Sequence, residues 1–155
     1  MTNVPYVNEV QPLLPLPQDK ADWVAWANDL PASQAMGMRA LECVPGRAKA
    51  VLEHSVWPLN PNGSVHGGLL LGVSDHLGGC VAMTMMPSGE YCATATLTMQ
   101  FMSPAVLPLT FEAVVTRSGR TLAFVDLAVT SSDGRRCATV VGSWSMNLLS
   151  TVTRR

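Results

Sequence analysis

Asp75 is the residue of this chain whose type and position best suit it to chemistry. From about His66 the sequence is apolar on almost every side at helical spacing, which predicts a buried helix, and Asp75 lies in its middle. Asp is a poor helix former, and a buried carboxylate lowers stability unless it has a partner. Such a carboxylate can act as a general base or as a nucleophile.

Glycines mark the start of the same predicted helix. Gly67 and Gly68 open it, and backbone N–H groups at a helix start, aided by the helix dipole, stabilise a developing negative charge. Gly67 suits this role because it has no side chain to block a reacting carbonyl. Gly68 shares its helical face with Asp75, on a strip of mostly small residues that allows a ligand to approach closely.

Six predicted strands must cover this helix. A hairpin turns at Pro45-Gly46, and four more strands follow the helix. In the strand that begins at Ala93, apolar and polar residues alternate up to Phe101. We therefore expect an α+β fold in which one antiparallel sheet wraps one helix. The predicted strands are Met38–Val44, Arg47–Ser55, Ala93–Phe101, Leu109–Arg117, Leu122–Thr130 and Arg136–Asn147.

The N-terminal region differs from the rest of the chain. Residues 1–18 are rich in proline and show no stable period, so we expect an extended arm. Asp19 is a candidate N-cap for a short helix through Ala27, and Pro31 is expected to stop it. We divide the single domain into an arm with a short helix, 1–35, and a main body, 36–150.

The central motif resembles that of a known family. Asn60, His66-Gly67-Gly68, Asp75 and the later Phe101-Met102-Ser103-Pro104-Ala105 together resemble the hotdog-fold acyl-CoA thioesterases of the PaaI-like, phenylacetate-degradation type. The resemblance runs from about Met38 to Asn147. It implies a hotdog fold, with a long central helix wrapped by a single antiparallel β-sheet, and a coenzyme A thioester as substrate.

The resemblance also implies roles for six residues. Asp75 would be the general base or nucleophile, and the Gly67 N–H the oxyanion donor. Asn60 would hold the thioester or the attacking water, and Thr94 would lie near the acid; alternatively, Thr94 is an ordinary strand residue on the polar face. His66 would shape the loop before the helix and, with Gly68, border the substrate.

The spacing of Gly67 and Asp75 bears on assembly. Eight residues separate them, or about 12 Å along a straight helix, which is too far for both to act on one carbonyl. Two antiparallel helices related by a two-fold axis would bring them together and build two equivalent sites. We therefore expect a homodimer or homotetramer, with sites shared across a dimer, as in the family.

Composition narrows the range of expected partners, cellular compartments and cofactors. The chain has 155 residues, 48% of them hydrophobic and 14% charged, with a net charge of −1, which favours neither nucleic acid nor an anionic membrane as partner. No apolar run reaches the ~18 residues of a membrane span, and no signal peptide is expected. The four cysteines lack metal-binding spacing and indicate reduced thiols in a cytoplasmic protein. We expect no metal and no cofactor apart from the coenzyme A of the substrate.

Two other functions compete with hydrolysis. One is a hotdog module that binds acyl-CoA without turning it over; Asp75 at the acid position favours the enzyme. The other is a hotdog dehydratase or hydratase, whose motif is not seen. The identity of the acyl group stays open.

Overall fold

The computed structural model describes residues 16–19, 22–86 and 91–146. The predicted extended arm therefore lies almost entirely outside the described residues. The end predicted for the last strand, at Asn147, lies outside them too.

The described residues form three helices and six strands, which come in the predicted order apart from α2, Pro31–Met36, a helix that was not predicted. Helix α3 is the long helix predicted around Asp75. The elements are α1 Trp23–Asp29, α2 Pro31–Met36, β1 Met38–Val44, β2 Arg47–Leu52, α3 Gly67–Met83, β3 Cys92–Phe101, β4 Leu109–Ser118, β5 Leu122–Thr130 and β6 Arg136–Met146.

All six strands belong to one sheet, in the order β1-β2-β4-β5-β6-β3. Every pairing between neighbours is antiparallel. The single antiparallel sheet around a central helix is therefore confirmed. Strand β3, which follows α3 directly in the chain, lies at one edge of the sheet and pairs with β6 alone. An edge strand carries a row of unpaired backbone groups and is a natural site for association.

Helix α3 packs its apolar residues into the concave side of this sheet. Leu69, Val73 and Leu77 are at most 1% exposed, as the apolar pattern predicts. They meet inward-facing residues of the central strands, such as Phe111 and Val125, which are fully buried. Burial of this apolar area, at roughly 25 cal/mol per Å², holds the helix in place.

Trp144 of β6 lies against α3 at Gly78. A Cβ added at Gly78 would overlap the Trp144 ring, and one added at Gly142 would lie 2.8 Å from it. Trp144 is 1% exposed, so the ring has no room to retreat. Gly78 is therefore a glycine because of close packing, which explains one of the interior glycines that are unfavourable for a helix.

We expect Gly78→Ala to lower the free energy of unfolding by about 1–3 kcal/mol, the usual effect of overpacking. Gly72→Ala is the matched control in the same helix, because its added Cβ meets only the flexible Met36 side chain, at 3.4 Å. Since Ala favours helix over Gly by roughly 1 kcal/mol, the control should be neutral or stabilising. Urea denaturation measures both; equal midpoints for the two variants would contradict the packing argument.

The N-terminal region departs from prediction in two ways. The short helix begins at Trp23, with Asp22 and not Asp19 before it, and no side chain caps it. The helix does end before Pro31, at Asp29, as predicted, but Pro31 also occupies the first turn of a second helix, α2, that was not predicted. Proline suits that position because the first N–H groups of a helix have no partner inside it. In addition, β2 ends at Leu52, before the predicted Ser55.

No helix in the described ranges is long and apolar enough to cross a membrane.

Candidate active site

His66 caps α3 and leaves one backbone donor of the helix start free. Its Nδ1 accepts a hydrogen bond of 3.1 Å from the Gly68 N–H. Its carbonyl accepts from the N–H groups of Leu69 and Leu70. The Gly67 N–H donates to no other residue in the part of the chain that the structure describes. A ligand oxygen is the partner that this geometry leaves open.

Asn60 closes the loop that leads into α3. Its Oδ1 accepts from the N–H groups of Asn62 and Ser64, at 2.9 and 3.2 Å, and its Nδ2 donates to Ser64 Oγ at 2.8 Å. The loop is a tight turn, with Gly63 at φ 75°. Asn60 therefore fixes the shape of the loop, and its amide retains one unused hydrogen for a neighbouring ligand.

Two aromatic rings rest on the two glycines of the helix start. A Cβ at Gly67 would lie 3.0 Å from the tip of the Phe101 ring, and one at Gly68 would lie 2.9 Å from Trp57. The Trp57 ring also meets the His66 imidazole edge to face, with centroids 5.6 Å apart. Neither glycine has a positive φ. A side chain added at either position would therefore have to displace an exposed aromatic ring.

A small cavity opens beside the Gly67 N–H. Its volume is about 250 Å³. Its walls are mostly apolar, with Asn60 and two serines providing polar groups. The lining residues are Asn60, Ser64, Val65, Gly67, Leu70, Phe101, Ser103, Pro104 and Ala105.

Asp75 receives a hydrogen bond from the edge strand. The Thr94 hydroxyl donates to Asp75 Oδ1 at 2.7 Å. The Asp75 side chain is half-buried, so this carboxylate has one fixed partner and remains accessible. The structure thus brings together the two residues that were predicted to lie near each other.

A β-bulge gives Thr94 its direction. Thr94 pairs with Trp144 and Thr96 with Ser143, so Ala95 has no partner on β6. Without the bulge, Thr94 would lie on the same face as Thr96, which bonds Ser143 Oγ across the strands. The extra residue turns Thr94 to the helix side instead. Strict alternation predicted the other face for Thr94, and in that respect the sequence pattern was wrong.

His76 follows Asp75 in sequence but points away from it. Its Nε2–H donates to Ser33 Oγ at 2.8 Å, and the Ser33 hydroxyl in turn donates to the Ala27 carbonyl. Burial lowers the pKa of His76, with the Asp75 charge opposing that shift only in part. The imidazole is therefore a neutral structural group that ties α2 to α3.

The cysteine thiols are poor nucleophiles here. Burial raises the pKa of Cys43 to about 12 and that of Cys92 to about 11. No group of three or more His, Cys, Asp or Glu side chains in the described ranges could hold a metal ion.

The site residues form two groups at different turns of α3. Asn60, His66, Gly67 and Gly68 gather at its start, whereas Asp75 meets Thr94 about 12 Å further along the axis. Strand β3 contributes to both groups, since Thr94 reaches Asp75 and Phe101 reaches Gly67. Within one chain, the two groups of candidate residues are too far apart to act on one carbonyl.

Comparison with known proteins agrees with this architecture. A family model described as the thioesterase superfamily matches residues 62–138. A protein of Saccharolobus solfataricus, for which esterase activity has been suggested, is 27% identical over 110 residues, or 70% of this chain and 78% of that protein.

Three solved structures share the fold. A thioesterase family protein from Silicibacter pomeroyi aligns with a TM-score of 0.75 and 23% identity, over 83% of this chain and 98% of that one. This chain has the hotdog thioesterase fold. The E. coli PaaI protein of the phenylacetic acid degradation operon aligns with a TM-score of 0.70 and 20% identity, over 78% and 87% of the two chains. A hypothetical thioesterase from Streptococcus pneumoniae, crystallised with coenzyme A, aligns with a TM-score of 0.67 and 20% identity, over 83% of this chain and 96% of that one.

Sequence reasoning missed Trp57 in this hotdog chain and gave Phe101 no role of its own. Both rings reach the helix start from other segments. The only local signal was the glycine pair, which shows that space is needed but not what fills it.

Proposed function

We propose that this chain is a PaaI-like member of the thioesterase superfamily and hydrolyses the thioester of a small or medium acyl- or aryl-acyl-CoA. The observation that carries the proposal is the arrangement on α3. A free N–H at Gly67 begins the helix, and a carboxylate held by a hydroxyl, Asp75 with Thr94, lies on the same helix. These are the oxyanion donor and the base or nucleophile that acyl transfer requires.

The proposed active protein is a homodimer, or a tetramer of such dimers. Strand β3 has a free edge, and an antiparallel partner strand can pair with it. A two-fold axis between Leu97 and Thr98 would set Thr94 of each chain against Phe101 of the partner subunit. Asp75 of one chain would then approach Gly67 of the partner subunit, and two complete sites would result.

In the general-base form of the reaction, Asp75 takes a proton from a water placed by Thr94. The water oxygen bonds to the thioester carbon, and the carbonyl oxygen takes up the electron pair while the Gly67 N–H stabilises its charge. When the C–S bond breaks, the sulfur leaves with its electron pair and takes the proton from Asp75. In the alternative form, a carboxylate oxygen of Asp75 bonds to the thioester carbon, the C–S bond breaks and coenzyme A leaves as the thiolate. Water then cleaves the resulting anhydride, which releases the acid and regenerates the Asp75 carboxylate.

Two solved structures of the same fold support a coenzyme A thioester as the ligand. The pneumococcal hypothetical thioesterase was solved with coenzyme A, and a Streptococcus mutans protein of the same fold with acetyl-CoA. Two further structures of the pneumococcal protein carry alanine in place of one aspartate or of one threonine. Those are the residue types that are paired here as Asp75 and Thr94.

The test is a thiol-release assay with acyl-CoA esters of increasing size, including phenylacetyl-CoA. Release of free coenzyme A in proportion to enzyme supports the proposal. The alternative, an acyl-CoA-binding module, predicts saturable binding by calorimetry with no thiol release. Turnover that is unchanged in Asp75→Asn would also contradict the proposal.

We expect Thr94→Ala to lower kcat/KM by roughly ten- to a thousandfold, because a lost hydrogen bond to the reacting assembly changes the barrier by ~1.4–4 kcal/mol. Thr116→Ala is the control, since Thr116 is an exposed residue of β4, away from the proposed pairing edge of β3. Thr94→Ser should restore most of the activity, because it keeps the hydroxyl. Equal kcat/KM for Thr94→Ala and Thr116→Ala would remove Thr94 from the site.

Asn60→Ala should have an effect of similar size for a different reason. It removes three hydrogen bonds that hold the loop before Gly67, along with the unused amide hydrogen. Ser64→Ala removes only the partner of Nδ2 and leaves both bonds to Oδ1. A loss in Asn60→Ala that exceeds the loss in Ser64→Ala is expected in steady-state assays; an unchanged kcat/KM in Asn60→Ala would contradict the proposed role.

We place the protein in the cytoplasm. The free thiols of Cys43, Cys80 and Cys137 are buried, and unpaired cysteines suit a reducing compartment.

A further inference from the structure

Phe101 is a large aromatic residue that contributes little to the core. Its side chain is 60% exposed, although it ends a strand whose preceding apolar residues, Leu97 and Met99, pack against the core. The tip of the ring lies over Gly67, where an added Cβ would be 3.0 Å from it. Within one chain the ring gains little free energy from burial, so the stability of the single chain does not account for it.

The ring forms one wall of the cavity at the proposed oxyanion donor. The opposite walls come from Val65, Leu70 and Ala105, which are at most 4% exposed and belong to the core. These buried residues cannot change size without strain on the fold. Phe101, in contrast, can be replaced by a smaller or a larger residue while the core stays intact.

The volume of the cavity limits what it can hold. Sites that enclose a drug-sized ligand measure about 300–1,000 Å³. The space beside Gly67 is about 250 Å³, and its lining is apolar apart from Asn60, Ser64 and Ser103. It suits a compact apolar group whose carbonyl lies at the Gly67 N–H.

We propose that Phe101 is the specificity-determining residue of this site, and that its ring limits the acyl group to a short or flat one. This rests on the proposed function, because the acyl group lies in the cavity only if the thioester carbonyl meets Gly67. Removal of the ring enlarges the cavity where β3 ends and admits longer chains. The Gly67 N–H, which belongs to the backbone, keeps its place.

The experiment compares kcat/KM across straight-chain acyl-CoA esters from acetyl to decanoyl, with phenylacetyl-CoA included. Phe101→Ala should raise the ratio of long-chain to short-chain kcat/KM by ~10-fold or more, the usual discrimination of an apolar pocket per methylene. Phe101→Leu should give a smaller shift, and Phe101→Trp a shift toward shorter chains. Phe124→Ala is the matched control, because Phe124 is 41% exposed on β5, outside the cavity lining, and its profile should match the wild type.

A second measurement separates this inference from the proposed function. Dissociation constants of acyl-CoA analogues with a methylene between sulfur and carbonyl report the same preference without hydrolysis. If no ester is hydrolysed, the proposed function fails, and the binding series still decides the role of Phe101. Chain-length profiles that run parallel in wild type, Phe101→Ala and Phe101→Leu, in both measurements, would overturn the inference.

Discussion

Asp75→Asn is expected to lower kcat by at least ~100-fold, the usual contribution of a general base. The amide keeps the size of the side chain, and its oxygen can still accept the hydrogen bond that Thr94 donates at 2.7 Å. It can neither take a proton from water nor attack a thioester. The loss should therefore appear in kcat, whereas binding of a neutral thioester survives.

The control is Asp126→Asn, which makes the same change at an exposed residue of β5 on the outer face of the sheet. Thermal unfolding of both variants checks that the fold is retained. Wild-type turnover by Asp75→Asn would contradict every hydrolytic mechanism proposed here.

A single turnover in ¹⁸O-labelled water distinguishes the two roles of Asp75. As nucleophile, Asp75 forms an anhydride, and the first acid released can carry an unlabelled carboxylate oxygen. As general base, it delivers solvent oxygen from the first turnover.

Gly67→Val is expected to lower kcat/KM by ~10²–10³, the usual effect of losing an oxyanion donor. Its Cβ would lie 3.0 Å from the Phe101 ring, so the branched side chain must displace the ring and cover the free N–H.

A larger effect is expected when two inactive variants are mixed. Gly67→Val and Asp75→Asn, each inactive alone, should regain about one quarter of wild-type activity when the chains are mixed and reassembled as dimers.

The value of one quarter follows from a shared site. Random pairing makes about half of the dimers mixed, and each mixed dimer has one intact site and one doubly altered site. Thr94→Ala mixed with Asp75→Asn is the control, because both changes fall in the same half-site and no pairing restores it. Recovery in neither mixture would show that each chain works alone. Light scattering at micromolar concentration, which should give a dimer or tetramer, checks the assembly directly.

Regular elements with local signals could be predicted from the sequence. Strand β5 has the predicted bounds, Leu122–Thr130, because turn residues flank its apolar run on both sides. Helix α3 was evident because no other structure suits a long stretch that is apolar on almost every side. The pairing of Thr94 with the acid was also predicted, although from family resemblance.

The missed features depend on contacts between distant segments. The bulge at Ala95 is set by the pairing of β3 with β6, whose partner Trp144 lies far along the chain. Nothing in the alternating sequence from Ala93 to Phe101 shows it. The contacts of Trp57 and Phe101 with the glycines likewise exist only after the sheet has closed around α3. The second helix at Pro31, in contrast, follows from a known preference of proline for helix starts and could have been predicted.

The irregular pairing of β3 has a consequence for how relatives of this chain should be aligned. The hydroxyl that holds the acid reaches it because one residue is added upstream of Thr96. In a relative whose edge strand pairs regularly, the equivalent hydroxyl should come from the adjacent position in the strand. A column-by-column alignment would then score Thr94 as variable even though the contact is preserved. The hydroxyl that holds the acid should therefore be traced among relatives by superposing the edge strand and its partner strand, and not by residue identity in one column of a sequence alignment.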